Sequence, residues 1–184
     1  MLKWLLIVVV VLVLVLVLVA VAAGQLGLLR GTPPDNLGLR DGKLKPPSKT
    51  PNSVSSQTDL WPGHAQAEYA RIAPLALAGD GDSSGDSSGD SSGDSSGAGD
   101  GLATLARIQA IVQATPGATV VKAESGYLYA TFSTRLLKYT DDVEFCFDAA
   151  HGVVQVRSAS RLGRKDFGVN RARVESIRTQ LGKR

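Results

Sequence analysis

The hydrophobic pattern changes character twice along the chain. Trp4 to Ala23 is a run of twenty uncharged residues, all Val, Leu, Ile or Ala apart from Trp4. At about 1.5 Å per helical residue it spans about 30 Å, the thickness of a bilayer core. The Val–Leu alternation from Val11 to Val19 suits a strand in water. In lipid a lone strand leaves its backbone unpaired, so helix prevails. Residues 1–23 are therefore expected to be a retained transmembrane anchor. Ala20-Val21-Ala22 resembles a signal-peptidase site, and a cleaved signal peptide is the alternative. The run is longer than the usual apolar core of such a peptide.

From Leu102 onward the pattern is that of a folded domain. Leu102, Leu105, Ile108 and Val112 recur at helical spacing, and Thr115-Pro116-Gly117 stops that helix. Thr119–Glu124 and Tyr127–Ser133 read as strands joined by a Ser125-Gly126 turn, which pairs Val121 with Ala130 and Ala123 with Leu128. Asp142–Asp148 and Val153–Ala159 form a second hairpin around Ala149-Ala150-His151-Gly152. Its register sets Phe147 opposite Val154, Phe145 opposite Val156, Val143 opposite Ser158 and Glu144 opposite Arg157. One face then collects the apolar side chains. The other receives Tyr127, Tyr129, Asp142, Glu144, Cys146, Gln155 and Arg157. A last helix runs from about Val169 to Leu181, buries Val174, Ile177 and Leu181, and offers Asn170 as N-cap. The expected fold is α+β: a four-stranded antiparallel sheet with two helices on one face, preceded by the transmembrane helix and an extended arm.

Between these parts the apolar pattern lapses. Residues 24–63 are rich in Gly, Pro, Ser and Asn, and Pro33-Pro34, Pro46-Pro47 and Pro51 block regular elements. This is the arm. Ala65 to Ala78 can hold a short helix or edge strand, and the domain is assigned residues 64–181. A low-complexity segment at 79–101, with GDSS repeated four times from Gly81 to Ser96, interrupts it and has too few apolar residues to form a core. Asp80 to Gly85 matches the start of a calcium loop, but Ser91 stands where the bidentate acid belongs. It is read as a disordered insertion, whose removal should leave stability nearly unchanged.

Charge sharpens the picture at the C-terminal end. The net charge of +3 conceals an acidic insertion and a basic domain, which points to anionic partners. Ser158 to Lys165 leads from a strand toward a helix N-terminus and carries hydroxyls, cations and free backbone N–H groups. Arg157, Ser158, Ser160, Arg161, Arg164, Asn170 and Arg171 are the candidate anion-binding residues. Asp141, Asp142, Glu144 and Asp166 are expected to serve as structural ion pairs, with Arg157 and Arg161 as partners. The alternative is an enzyme in which Asp141 and Asp142 converge with Asp166 or Glu144 as general acid and base.

No hydrolase elbow, zinc-binding His pair, P-loop or dinucleotide fingerprint occurs. His64 and His151, the two histidines, stand near turn residues without a ligand partner and are read as surface residues. Cys146 is the single cysteine, so no disulfide can form within the chain. No residue is given a catalytic role, and no metal or cofactor is expected.

Asp141-Asp142-Val143-Glu144-Phe145, Val156 to Arg161, Asp166 to Arg171 and Arg173-Val174-Glu175 resemble the signature of the domain of unknown function 1499 family. Gly42-Lys43-Leu44, Pro51 to Gln57 and Pro74-Leu75 are similar to its N-terminal half. The resemblance covers about residues 38–181 without the insertion. It implies a small protein, often with a membrane or export segment, and no established activity. The family pattern often has cysteines where this chain has Pro47 and Ser53. If those form a disulfide in relatives, the arm here is held by packing alone.

The reading at this point is a single-pass protein of the cytoplasmic (inner) membrane, anchored through residues 4–23. Charge on the two sides of the span is ambiguous, and the resemblance puts the domain on the periplasmic side. Its expected role is a binding or structural module with an unknown protein or an anionic small molecule as partner. Nucleic acid is not expected. The alternative is a hydrolase-like enzyme acting on an anionic substrate through Asp141, Asp142 and the Arg-rich loop.

Overall fold

The computed structural model describes residues 1–77 and 95–183. Its elements are α1 (Leu2–Gln25), β1 (Ser53–Ser55), α2 (Ala67–Ala70), β2 (Leu75–Ala76), α3 (Ser95–Ala114), β3 (Ala118–Glu124), β4 (Tyr127–Ser133), β5 (Thr140–Asp148), β6 (Val153–Ser160) and α4 (Val169–Leu181). The architecture is mixed α/β with an antiparallel sheet and one N-terminal apolar helix. That helix is long and apolar enough to cross a membrane, with a mean hydropathy of 3.8. A signal sequence would have the same properties.

The sheet has six strands, ordered β1-β6-β5-β4-β3, with β2 also on β6, where four were expected. The two extra strands come from the arm and from the segment after α2. β6 would otherwise expose an unpaired edge. β2 takes its first residues, Leu75 opposite Val154, and β1 its last, Val54 opposite Ser158. The β5–β6 register is the one expected, including Phe145 opposite Val156 and Glu144 opposite Arg157. In the β3–β4 hairpin Ala123 does face Leu128, but a bulge between Val120 and Lys122 makes Val120, not Val121, the partner of Ala130. The extra residue keeps Val120 packed on the core and leaves Val121 exposed.

α3 and α4 cover one face of the sheet. Leu105, Ile108 and Val112 from α3 and Val174, Ile177 and Leu181 from α4 meet Leu128, Ala130, Val143, Phe145, Val154 and Val156. α3 begins at Ser95, within the segment read as insertion, and not at Leu102. Gly101 lets it lie close to β5: a Cβ there would come within 2.2 Å of the Phe147 ring. Residues 78–94, which hold most of the GDSS repeat and the candidate calcium loop, lie outside the described residues. The N-cap of α4 is Gly168, with a left-handed backbone that suits glycine. Asn170, the expected cap, is instead the second residue of the helix and is buried.

Candidate functional site

The second face of the sheet is polar, and the arm buries it. Backbone pairing puts Asp142 and Glu144 of β5 beside Tyr129 of β4 and Arg157 of β6. Above them Gln57 braces the arm from within. Its Oε1 accepts from the Leu44 N–H at 2.7 Å, and its Nε2 donates to the Gly42 carbonyl at 3.2 Å. Leu44, only 1% exposed, packs with Tyr127 and Cys146.

Glu144 is fully buried. Its Oε1 accepts from the Tyr127 hydroxyl at 2.8 Å and from the arm's Gly38 N–H at 2.7 Å. Its Oε2 lies 3.7 Å from Arg157 Nη1, an ion pair without a hydrogen bond, and has no other partner. Arg157 is as deeply set, with a side chain 6% exposed. Its Nε donates to the Pro46 carbonyl at 3.2 Å. Neither Nη nitrogen donates a hydrogen bond among the described residues. Burial pushes this guanidinium below its ordinary pKa, against the pull of Glu144 and Asp142.

Asp142 is held more tightly. Arg161 grips it through Nε at 2.9 Å and Nη2 at 2.7 Å. The Tyr129 hydroxyl donates to the same carboxylate at 2.6 Å. Burial, and then that bond to Asp142, push the Tyr129 hydroxyl up to about 12. Burial likewise raises the Cys146 thiol to about 11, with Asp148 and Glu144 adding to the shift. Both groups are therefore neutral and poor nucleophiles near neutral pH.

A cavity of about 550 Å³ opens between arm and sheet, lined among others by Lys45, Lys49, His64, Asp142, Arg157 and Arg161. Ser160 also lines it. Lys45 and Lys49 form no ion pair among the described residues, so the wall carries unanswered positive charge.

The candidate residues thus divide. Arg157, Ser160 and Arg161 reach the cavity. Ser158 and Asn170 lie on the helix side, in a lock beneath α4. There Ser158 Oγ donates to Asn170 Oδ1 at 2.5 Å, and Arg173 Nη1 donates to both at 3.0 and 2.8 Å. Asn170 Nδ2 reaches Ser160 Oγ at 3.0 Å and the Asn52 carbonyl at 3.1 Å, tying the arm to α4. Arg171 donates to the Tyr69 carbonyl at 2.7 Å. Arg164 points to solvent with no side-chain partner among the described residues.

Asp141 and Asp142, adjacent in sequence, point to opposite faces. Asp141 pairs at 2.5 Å with Arg173, not with Arg157 or Arg161, because the pleat turns it toward α4. Arg173 also stacks 4.8 Å from the Phe132 ring. Asp166 forms no ion pair among the described residues. It accepts from the Tyr69 hydroxyl, the Gly168 N–H at 3.1 Å and the Asn170 N–H at 3.1 Å. Burial alone would raise its pKa, but the hydrogen bonds from Tyr69 and Asn170 hold it below the usual carboxylate range. It serves as the acceptor for the first turn of α4, which the sequence reading had given to Asn170. No carboxylate of the four is free to act with another.

His64, read as a surface residue, is half-buried and lines the cavity. His151 is exposed and bonds Asp148 at 2.8 Å. Lys45 and Lys49 were not singled out from the sequence, and Arg173 entered only through the resemblance, without a site role. The two lysines flank Pro46-Pro47, and that rigid basic stretch was the available signal. Among the described residues no group of three His, Cys, Asp or Glu side chains is placed to hold a metal ion.

A family model described as "Protein of unknown function (DUF1499)" matches residues 43–181. It spans most of the chain, and the chain belongs to this family. No curated protein and no solved structure matches.

Proposed function

We propose that this member of the DUF1499 family is a membrane-anchored module that binds an oxyanion in the cavity between its arm and the polar face of its sheet. The observation that carries the reading is Arg157. Its side chain is 6% exposed, its Nη groups donate to no acceptor among the described residues, and it lines a cavity that also presents Lys45, Lys49 and Arg161. The Nη groups are open to the cavity, and a bound carboxylate or phosphate would supply acceptors with a geometry that suits guanidinium.

The paired state of the carboxylates favours binding over catalysis. A hydrolase-like enzyme acting on an anionic substrate needs an acid or base at the substrate. Asp142 here is clamped by Arg161, and Asp141 faces away. Retention of residues 1–25 is favoured by the way α1 ends. Gln25 Nε2 donates to the Leu136 carbonyl at 2.8 Å. Gly24 packs so closely on Leu137 that a Cβ would lie 2.6 Å from its carbonyl oxygen. Cleavage after Ala22 would leave Gly24 and Gln25 within three residues of a new N-terminus, with no helix to hold them on that loop. We take the membrane to be the cytoplasmic membrane and the domain to be periplasmic.

The test is calorimetric titration of the full chain in neutral detergent with inorganic phosphate and with pyrophosphate at constant ionic strength. Saturable binding is expected. Lys49→Gln, at an exposed position, should weaken it about fivefold, and Arg157→Met about tenfold or more. Absence of saturable binding of either anion by the unaltered chain overturns the reading. A C-terminal alkaline phosphatase fusion that is inactive would put the domain in the cytoplasm instead.

A further inference from the structure

A second cavity, of about 540 Å³, lies beside the loop between β4 and β5 and reaches Arg30, just past α1. Its lining includes Arg30, Arg135, Lys138 and Arg161, with Thr131 and Thr140, and no carboxylate among the described residues. Arg161 is answered by Asp142. Arg30, Arg135 and Lys138 form no ion pair among the described residues, so three cations share one concavity with no counter-charge.

The loop between β4 and β5 builds this wall, and it is an ordered turn. The Thr134 N–H donates to the Tyr139 carbonyl at 2.9 Å, the Tyr139 N–H to Thr134 Oγ1 at 3.0 Å, and Lys138 takes a left-handed backbone at φ 57°. The same loop receives the end of α1 through Gln25 and Gly24. Cations and large apolar side chains are mixed on it: Arg135, Leu136, Leu137, Lys138, Tyr139. Leu136 is 61% exposed, and Leu26 and Leu28, just past α1, are 78% and 72% exposed. Apolar side chains left in the open beside uncompensated cations, at the mouth of an apolar span, match the chemistry of the bilayer interface.

We infer that this cavity holds the phosphate of an anionic lipid headgroup, with Arg30, Arg135 and Lys138 around the phosphate and Leu26, Leu28 and Leu136 in the acyl boundary. The inference rests on retention of α1 and is independent of whether the arm cavity binds an oxyanion. A lipid, not a free phosphate, is the occupant because the exposed Leu26, Leu28 and Leu136 stand on the same two segments that carry Arg30, Arg135 and Lys138. The effect of the site is to fix the height and tilt of the domain on the membrane, beyond what one helix does.

Native mass spectrometry of the full chain, taken from neutral detergent with phosphatidylglycerol or phosphatidylcholine added, tests this. Phosphatidylglycerol should be retained preferentially. Arg135→Gln with Lys138→Gln should lower its retention by about thirtyfold, and Leu136→Ser should lower retention of both lipids. Lys49→Gln, in the arm cavity, should change neither. Equal retention of the two lipids, or indifference to the double variant, overturns the inference. So does displacement of phosphatidylglycerol by an equal concentration of inorganic phosphate, which would make the site one for free phosphate. The intact mass in the same spectrum reads the premise: a chain lacking residues 1–22 ends both the anchor reading and this inference, whereas an intact chain without lipid preference ends only the inference.

Discussion

On β5, Val143 and Phe145 point toward the helices while Asp142 and Glu144 point toward the arm, and all four are buried. The two faces of one sheet are closed by different means. The helix side is sealed by apolar area, which is non-directional and tolerates small shifts. The arm side is sealed by a segment with little regular structure, laid over charges that must each find a partner at a defined distance. The helix side makes the fold stable. The arm side makes a buried, partly unsatisfied electrostatic surface, and that is the kind of surface that can hold something.

The largest effects should expose this difference in kind. Phe145→Ala, on the apolar face, should cost about 3–5 kcal/mol through lost burial and a residual cavity. Urea denaturation of the full chain in mild detergent would measure it, and no second substitution on the polar face should restore it. Arg157→Met should cost about 3 kcal/mol, because Glu144 is left charged and buried without its counter-ion. That loss, unlike the first, should be repairable. Adding Glu144→Gln should recover part of it, with a coupling of about 0.5 kcal/mol or more in a double-mutant cycle. Strictly additive effects would mean that the 3.7 Å pair is geometric coincidence, and the contrast between the faces would fail.

The apolar face was legible in the sequence. Alternation along β4, β5 and β6 and the helical spacing in α3 and α4 named its core, and the hairpin loop fixed the register that sets Glu144 against Arg157. The polar face was legible only as a list of side chains. What covers it is the arm, whose Pro and Gly residues carry no periodicity from which a docking position follows. β1 was missed for the same reason, and β2 was foreseen only as an edge-strand option within residues 65–78: strands of three and two residues give no alternation to read. The opposite orientation of Asp141 and Asp142 does follow from period two, so the sequence already argued against a converged pair. Arg173 as the partner of Asp141 required knowing how α4 crosses the sheet, which no local pattern contains.

A smaller effect should separate the cover from what it covers. Gln57→Ala removes both hydrogen bonds that brace Gly42 and Leu44. It should cost about 1–3 kcal/mol and open the arm without loosening the helices. Hydrogen exchange should rise at Gly38 and Leu44 while the amides of α4 stay protected. Equal acceleration on both sides would show that arm and helix layer open as one unit, and that the two faces are not separable.

The smallest effect comes from the end of the polar face that the arm does not reach. Asp148 lies on the same strand and the same face as Glu144, four residues on, with its side chain 20% exposed. Burial would raise its pKa, but hydrogen bonds from Gln155 and His151 outweigh that and hold it below the ordinary carboxylate value. Its contribution to stability is therefore present above the ordinary carboxylate range and is lost as the pH falls through its lowered value. Its partner His151 is 73% exposed, and such pairs contribute about 1 kcal/mol or less. Asp148→Asn should accordingly cost less than about 1 kcal/mol at neutral pH, and the difference from the unaltered chain should vanish in acid. If cover alone decides what a charge on this face is worth, the same substitution at Glu144 and at Asp148 must differ severalfold in effect at neutral pH. A cost at Asp148 as large as that of breaking the Glu144–Arg157 pair would mean that the strand, and not the arm, sets the energetics of the polar face.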